Sequence, residues 1–206
     1  MPVIGITGGV ASGKSTVTRM MSQGLKHRST EEVESFSADE CGHGLLEHDP
    51  AVRAEVVRAF GEAALGQEGS VNRTYLRGVV FEDREAREKL EAILHPRIHK
   101  TWRERCKFFK DSQQYFVAEI PLLYETNSAL YFDCITVVTA DADIQIQRLS
   151  SKRGWALETA RRVIETQMPA EEKIRRANIL ILNHHTESLL SLQINLAVEW
   201  LLARYA

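Results

Sequence analysis

The first apolar run, residues 3–7, is short and largely β-branched, and it stops at Gly8-Gly9. That is the pattern of a buried parallel strand feeding a tight loop. From Lys14 the spacing turns helical. Val17, Met20 and Met21 predict a helix over residues 14–21 that opens after Gly13, with the polar stretch 23–34 closing it. Residues 33–37 can form a second strand. Between residues 45 and 110 apolar positions recur three and four apart, as in Val52, Val56 and Phe60, in Leu76 and Val79, and in Leu90, Leu94, Ile98 and Trp102. This is a helical block, broken most clearly at residues 61–72, where three glycines predict a turn or hairpin. Two β-rich runs follow at 115–120 and 134–139 and should join the first strand in one parallel sheet. Helices are then expected from about Asp143 and over 158–167, an apolar run at 179–182, and a terminal amphipathic helix over about 187–204. No internal repeat is evident. The alternation predicts a three-layer α/β fold with a helical insert in mid-chain.

Composition narrows the class. A chain of 206 residues with 44% hydrophobic and 26% charged positions fits one compact unit, and disordered or collagenous classes are excluded. With 26 basic against 28 acidic residues, net charge -2, no global basic field exists to hold nucleic acid or an anionic membrane, so any phosphate binding has to be local. Cys41, Cys106 and Cys134 form no C-x-x-C pair, so neither a disulfide framework nor a zinc site is expected, and reduced cytosol fits best. No signal peptide and no membrane-spanning apolar run is visible.

The chemistry concentrates in Gly8-Gly9-Val10-Ala11-Ser12-Gly13-Lys14-Ser15, which satisfies G-x-x-x-x-G-K-[ST] at every fixed position. Such a loop wraps its own backbone N–H groups around a di- or triphosphate. It needs glycine where a Cβ would collide or positive φ is required. The following helix dipole adds positive field, Lys14 brings a compact charge to the β/γ phosphates, and the Ser15 hydroxyl completes a Mg²⁺ coordination sphere. The bland alternative is a glycine-rich turn with an exposed lysine, which the strand before and the helix after disfavour. Asp39 lies 24 positions after Ser15, beyond the second candidate strand. A carboxylate there can orient or deprotonate an attacking hydroxyl, or hold Mg²⁺ through water; equally, Asp39 can cap the helix that carries Cys41. Both readings stand on the sequence alone. Asp39-Glu-Cys-Gly42 also reads as the D-x-x-G of GTPase switches, but no N-K-x-D motif accompanies it.

Residues 145–176 hold eight Lys or Arg against four Glu, the composition of a basic lid over a nucleotide or of a solvated helical face. His95 and His99 lack a third ligand at a recognisable spacing; Pro96 between them suggests a helix start or kink, and polar packing or substrate contact is favoured. Trp102, Phe108, Phe109 and Trp155 read as core or interface, not as a base-stacking platform.

The loop 6–15 together with Ala38-Asp39, Leu94-His95-Pro96, Glu119-Ile120-Pro121-Leu122-Leu123-Tyr124-Glu125, Gln167-Met168-Pro169 and Glu171-Glu172-Lys173 resembles dephospho-CoA kinase in order and spacing. The resemblance implies a P-loop, nucleoside-monophosphate-kinase-like fold with a five-stranded parallel sheet. Its single domain would comprise a core (1–40, 112–142, 177–206), a helical substrate-binding insert (41–111) and a helical lid (143–176). It implies transfer of the ATP γ-phosphoryl, with Mg²⁺, to the 3'-hydroxyl of dephospho-CoA. The ATP site would comprise Gly8, Gly9, Ala11, Ser12, Gly13, Lys14, Ser15 and Thr16, with Asn183 near the adenine. Asp39 would be the base, Lys14 and Arg148 would stabilise charge, and Ser15 would hold the metal. A cytoplasmic monomer or weak homo-oligomer is expected. The chain departs from the family at Ser37 and Asn178, where aspartates are usual, and at Lys152, in place of a second lid arginine. A kinase of another small acceptor, such as a nucleoside monophosphate, and a regulatory ATP-binding protein are the alternative readings.

Overall fold

The computed structural model describes residues 1–66, 69–184 and 186–205. Five strands form one parallel sheet: β1 (Val3–Gly8), β2 (Val33–Ser37), β3 (Tyr115–Glu119), β4 (Cys134–Thr139) and β5 (Ile179–Leu182), in the order β2-β3-β1-β4-β5. The central strand β1 pairs Ile4 with Val117 on one side and with Cys134 on the other. Every residue of β1 and of β3 is buried, as strands covered on both faces must be.

The chain divides into two compact units, Met1–Ser37 with Arg105–Ala206, and Ala38–Glu104. The first holds the sheet. Its helix α1 (Lys14–Arg28) runs a full two turns beyond the expected end, because Leu25 continues the Val17 and Met21 stripe; the polar residues read as a terminator are its solvent face. Gly24 sits on that helix where a Cβ would stand 3.0 Å from Val198 of the C-terminal helix (Glu187–Tyr205), so the two helices approach closely. Ile4, Ile6, Val17, Met21, Val138, Ile194 and Val198 make the core on this face of the sheet. On the other face Leu123 and Phe132 close over Gly5, and Phe109 stacks on Phe116 with ring centroids 4.8 Å apart. Asn178, at one of the unusual positions, accepts the Ile135 N–H through Oδ1 at 2.8 Å, an acceptor duty that an aspartate would also perform.

The second unit is helical: α2 (Ala38–His48), α3 (Pro50–Phe60), α4 (Arg73–Glu82) and most of α5 (Arg84–Lys110). Asp49 caps α3 by accepting from the Ala51 and Val52 amides, with Pro50 at the first helical position, and Asn72 caps α4 through the Tyr75 amide. Between them Gly66 N donates to Ser70 O at 2.7 Å and Leu65 bridges Val71, so the glycine-rich break is a hairpin-like turn; Gln67 and Glu68 lie outside the described residues. Leu46, Val52, Val56, Ala64, Val71 and Leu76 form this unit's core. Pro96 neither starts nor ends a helix but lies inside α5. One turn of α5 is instead secured from outside, where Arg97 donates to Ile93 O and reaches both oxygens of Glu55. The His95 and His99 rings stack 6.0 Å apart, with His99 edge-on to Trp102, and no metal-binding group of three ligands occurs among the described residues. Trp102 and Phe109 are core, whereas Phe108 is exposed.

The basic stretch breaks into three helices instead of two: α6 (Ala142–Arg153), α7 (Leu157–Glu165) and α8 (Ala170–Arg175), with α9 (Glu187–Tyr205) after β5. Pro169 forces the extra break, since it ends the run that pattern alone extended to residue 167. No helix among the described residues is long and apolar enough to cross a membrane.

None of the three cysteines forms a disulfide. Burial pushes the Cys106 and Cys134 thiols from an ordinary value near 9 up to about 12, while Cys41 is half-buried. A thiol reagent at pH 8 is therefore expected to titrate Cys41 alone in the native protein and all three after denaturation; rapid native reaction of three thiols would contradict the packing. The native state keeps these two protons where the unfolded chain loses them, so stability is full below pH 9 and declines between about pH 9 and 12.

Candidate active site

The site is built where β1 ends. Gly8 (φ 153), Ala11 (φ 54) and Gly13 (φ 96) give the chain three left-handed turns between the strand and α1. Two of these positions have no room for a side chain: a Cβ on Gly8 would stand 2.0 Å from the Val138 carbonyl oxygen, and one on Gly13 would stand 2.0 Å from Asn183 Nδ2. Ser12 N donates to Gly9 O, closing the loop on itself, and Val17 N donates to Gly13 O, starting the helix.

The outer side of this loop is held by two residues from distant elements. Arg148 of α6 donates through Nη1 to Ala11 O (3.2 Å) and Ser12 O (3.3 Å), and through Nη2 to Asn183 O (3.0 Å). Asn183, just past β5, donates through Nδ2 to Ser12 O at 2.7 Å. A trans peptide places N–H opposite C=O. Pinning the Ser12 carbonyl outward therefore turns the Gly13 N–H inward, toward where an anion would sit at the head of α1. The arginine also leaves a full positive charge beside the loop.

Lys14 Nζ bends over the loop and donates to Gly8 O (3.2 Å) and Gly9 O (2.9 Å). These are neutral acceptors, and a phosphate oxygen competes well against them because charge-assisted bonds are roughly twice as strong. Ser15 Oγ donates to Glu119 Oε1 at 2.9 Å, and Glu119 is only 3% exposed at the end of β3. A hydroxyl in the first turn of α1 and a carboxylate at the end of β3 are hard oxygen donors of the kind Mg²⁺ accepts, so the residues present fit the ion. On the opposite side of the loop Gln167 Oε1 accepts the Val10 N–H at 2.8 Å.

Thus Gly8, Gly9, Ala11, Ser12, Gly13, Lys14, Ser15, Arg148 and Asn183 come together in one unit, with Thr16 in the first turn of α1. Asp39 belongs to the helical unit, in the first turn of α2, two residues beyond the end of β2.

A family model described as dephospho-CoA kinase matches residues 2–188. The chain belongs to the dephospho-CoA kinase family. It is 37% identical over 185 residues to the dephospho-CoA kinase of Geobacillus kaustophilus, covering 89% of this chain and 88% of that protein. A crystal structure from Thermus thermophilus superposes with a TM-score of 0.70 at 28% identity, covering 99% and 97% of the two chains. The dephospho-CoA kinase of Campylobacter jejuni shares the fold, with a TM-score of 0.66 at 24% identity over 96% of each chain.

Within this family member three contacts were not assigned roles by sequence reasoning: Glu119 on Ser15, Gln167 on the Val10 amide, and Lys173 with Glu125. Glu119 carried a signal, an acid closing an otherwise apolar strand. Gln167 and Lys173 stood in motifs that carry the resemblance, but their contacts were not legible there, since each partner lies more than 40 positions away.

Proposed function

We infer that the braced loop grips the polyphosphate of ATP and presents its terminal phosphoryl group to an alcohol. The activity is that of a dephospho-CoA kinase: the γ-phosphoryl of ATP passes to the ribose 3'-hydroxyl of dephospho-CoA, giving coenzyme A and ADP, the final step of coenzyme A synthesis. The observation that carries the site assignment is the loop itself, with two positions closed to any Cβ and its carbonyls tied back by Arg148 and Asn183.

In this reading the N–H groups of the loop, from Gly8 and Gly9 through Ala11, Ser12 and Gly13 to Ser15 and Thr16, hold the phosphates. Lys14 exchanges its two carbonyl acceptors for β- and γ-phosphate oxygens. Ser15 and Glu119 would hold Mg²⁺, which when bound neutralises charge on the phosphates. Arg148 acts through the loop it braces, and Asn183 both braces Ser12 and borders the adenine. Asp39 accepts the proton of the 3'-hydroxyl as the new O–P bond forms and the bond to ADP breaks. Its place just past the carboxyl end of β2 supports this, because parallel α/β sheets present ligand-binding groups at that edge. The helical insert 41–111 would receive dephospho-CoA, and residues 143–176 would act as the lid. In this reading the enzyme works in the cytoplasm as a monomer or weak homo-oligomer, and three cysteines without a disulfide suit a reducing compartment.

Incubation of the purified protein with ATP, Mg²⁺ and dephospho-CoA is expected to yield coenzyme A by mass, with ADP in equal amount. Release of ADP on nucleoside monophosphates without coenzyme A formation would transfer the assignment to another acceptor.

A further inference from the structure

Beside the phosphate loop lies a cavity of about 250 Å³, walled on one side by Gly8 and Gly9 and on another by Gln145, Gln167 and Lys173. Lys173 is the unusual member. Its residue is 1% exposed, one of the largest fully buried side chains in the protein, although lysine is almost never buried without a specific reason. Its acidic partner is Glu125, with Oε1 2.7 Å from Nζ. That carboxylate is itself held, because Oε1 accepts the Met168 N–H at 3.3 Å, and the neighbouring Tyr124 hydroxyl donates to Arg176 O at 2.8 Å. The loop after β3 thus grips α8 near both its ends.

The pair is nevertheless incomplete. Beyond that ion pair, Lys173 Nζ and Glu125 Oε2 are buried with no further hydrogen-bond partner among the described residues. A buried ion pair stabilises a fold only when its remaining donors and acceptors are satisfied, and apolar replacement of such a pair is often neutral or stabilising. A structural staple would not need a charge here. Lys173 lines the cavity beside the phosphate loop, and its buried ammonium with unused N–H groups is, by contrast, a donor set for an oxyanion. Gln167, on the same segment, fixes the distance between α8 and the loop through the Val10 amide. The acidic residue that lines the cavity, Glu165, is exposed to solvent.

We propose that Lys173 is a phosphate-contacting residue of the transfer reaction, its ammonium donating to a non-bridging oxygen of the migrating γ-phosphoryl in the cavity beside Gly8-Gly9. Glu125 supplies the counter-charge that a buried ammonium requires and aims it at the cavity. The inference rests on the dephospho-CoA kinase reading of the site. It adds to the loop and Lys14 a second cation approaching the phosphoryl group from the α8 side.

Lys173→Met keeps the volume of the stem and removes the charge. Turnover of dephospho-CoA is expected to fall about 10²-fold, the usual cost of one transition-state donor, while the Kd for ADP stays within about threefold. The double variant Lys173→Met/Glu125→Leu replaces the whole pair with apolar groups. It should regain the thermal midpoint of the wild type but not its turnover. Turnover of either variant within about threefold of wild type overturns the proposal and leaves the pair as a staple. A structure of the wild-type protein with dephospho-CoA and a non-hydrolysable ATP analogue decides the matter without any variant. Nζ within about 3.2 Å of a γ-phosphoryl oxygen is the expected result, and Nζ beyond reach of it refutes the contact. If the wild type fails to make coenzyme A, it is the functional reading that falls; loss in the variants against an active wild type tests Lys173 itself.

Discussion

Asp39→Asn is expected to lower kcat for coenzyme A formation by about 10²–10⁴-fold, the range for loss of a general base, with ATP affinity unchanged. Asparagine keeps the size of the side chain and an oxygen that can orient the hydroxyl, but it cannot take up its proton. The phosphate loop, Lys14 and the Arg148 brace all lie in the other compact unit, so nothing that grips ATP is altered. The competing role makes a different forecast. Asp39 sits in the first turn of α2, where a carboxylate is favoured by the helix dipole. If that were its whole contribution, the substitution would cost about 0.3–1 kcal/mol of stability and leave turnover intact. Steady-state kinetics with dephospho-CoA, alongside calorimetric ATP binding and a melting curve, separate the two. A kcat within threefold of wild type with a lowered midpoint removes Asp39 from the mechanism.

Gly13→Ala should be comparably severe for a different reason. The residue has φ 96, which an L side chain adopts only at a cost of about 1–3 kcal/mol, and its Cβ would be placed 2.0 Å from Asn183 Nδ2. That nitrogen is not a flexible tip, because it donates to Ser12 O inside the brace. Relief requires Asn183 to move, which frees the Ser12 carbonyl, and with it the orientation of the Gly13 N–H. Misplacing preorganised donors by about 1 Å costs on the order of 10²-fold, so kcat/KM is expected to fall by about 10²–10³-fold. The thermal shift that ATP confers on the wild type should shrink with it. Near-normal turnover would show that the loop carbonyls need no fixed anchor.

Much of the fold was legible because its signals are local. The run at residues 3–7 ending on two glycines, and the β-branched runs at 115–120 and 134–139, became β1, β3 and β4 nearly as read. Misreadings arose where a local signal was ambiguous. The polar residues after Met21 are the wet face of a helix anchored by Leu25, and no pattern in the window distinguishes that face from a linker. Pro96 reads as a boundary because proline lacks an N–H, yet in α5 the surrounding packing carries the helix through it.

The sequence by itself determined the phosphate loop, because glycine positions and the Lys-Ser that follows are requirements of backbone geometry that no distant residue can supply. It also determined the family, through motifs spread colinearly over most of the chain. Only the tertiary structure decided which partners Arg148, Asn183, Gln167 and Lys173 meet. Each meets a distant partner, as Lys173 meets Glu125 and as Asn183 meets Ser12, 171 positions away. Direction, burial and unused hydrogen-bonding capacity are properties of that meeting, and they do not exist until the chain has folded.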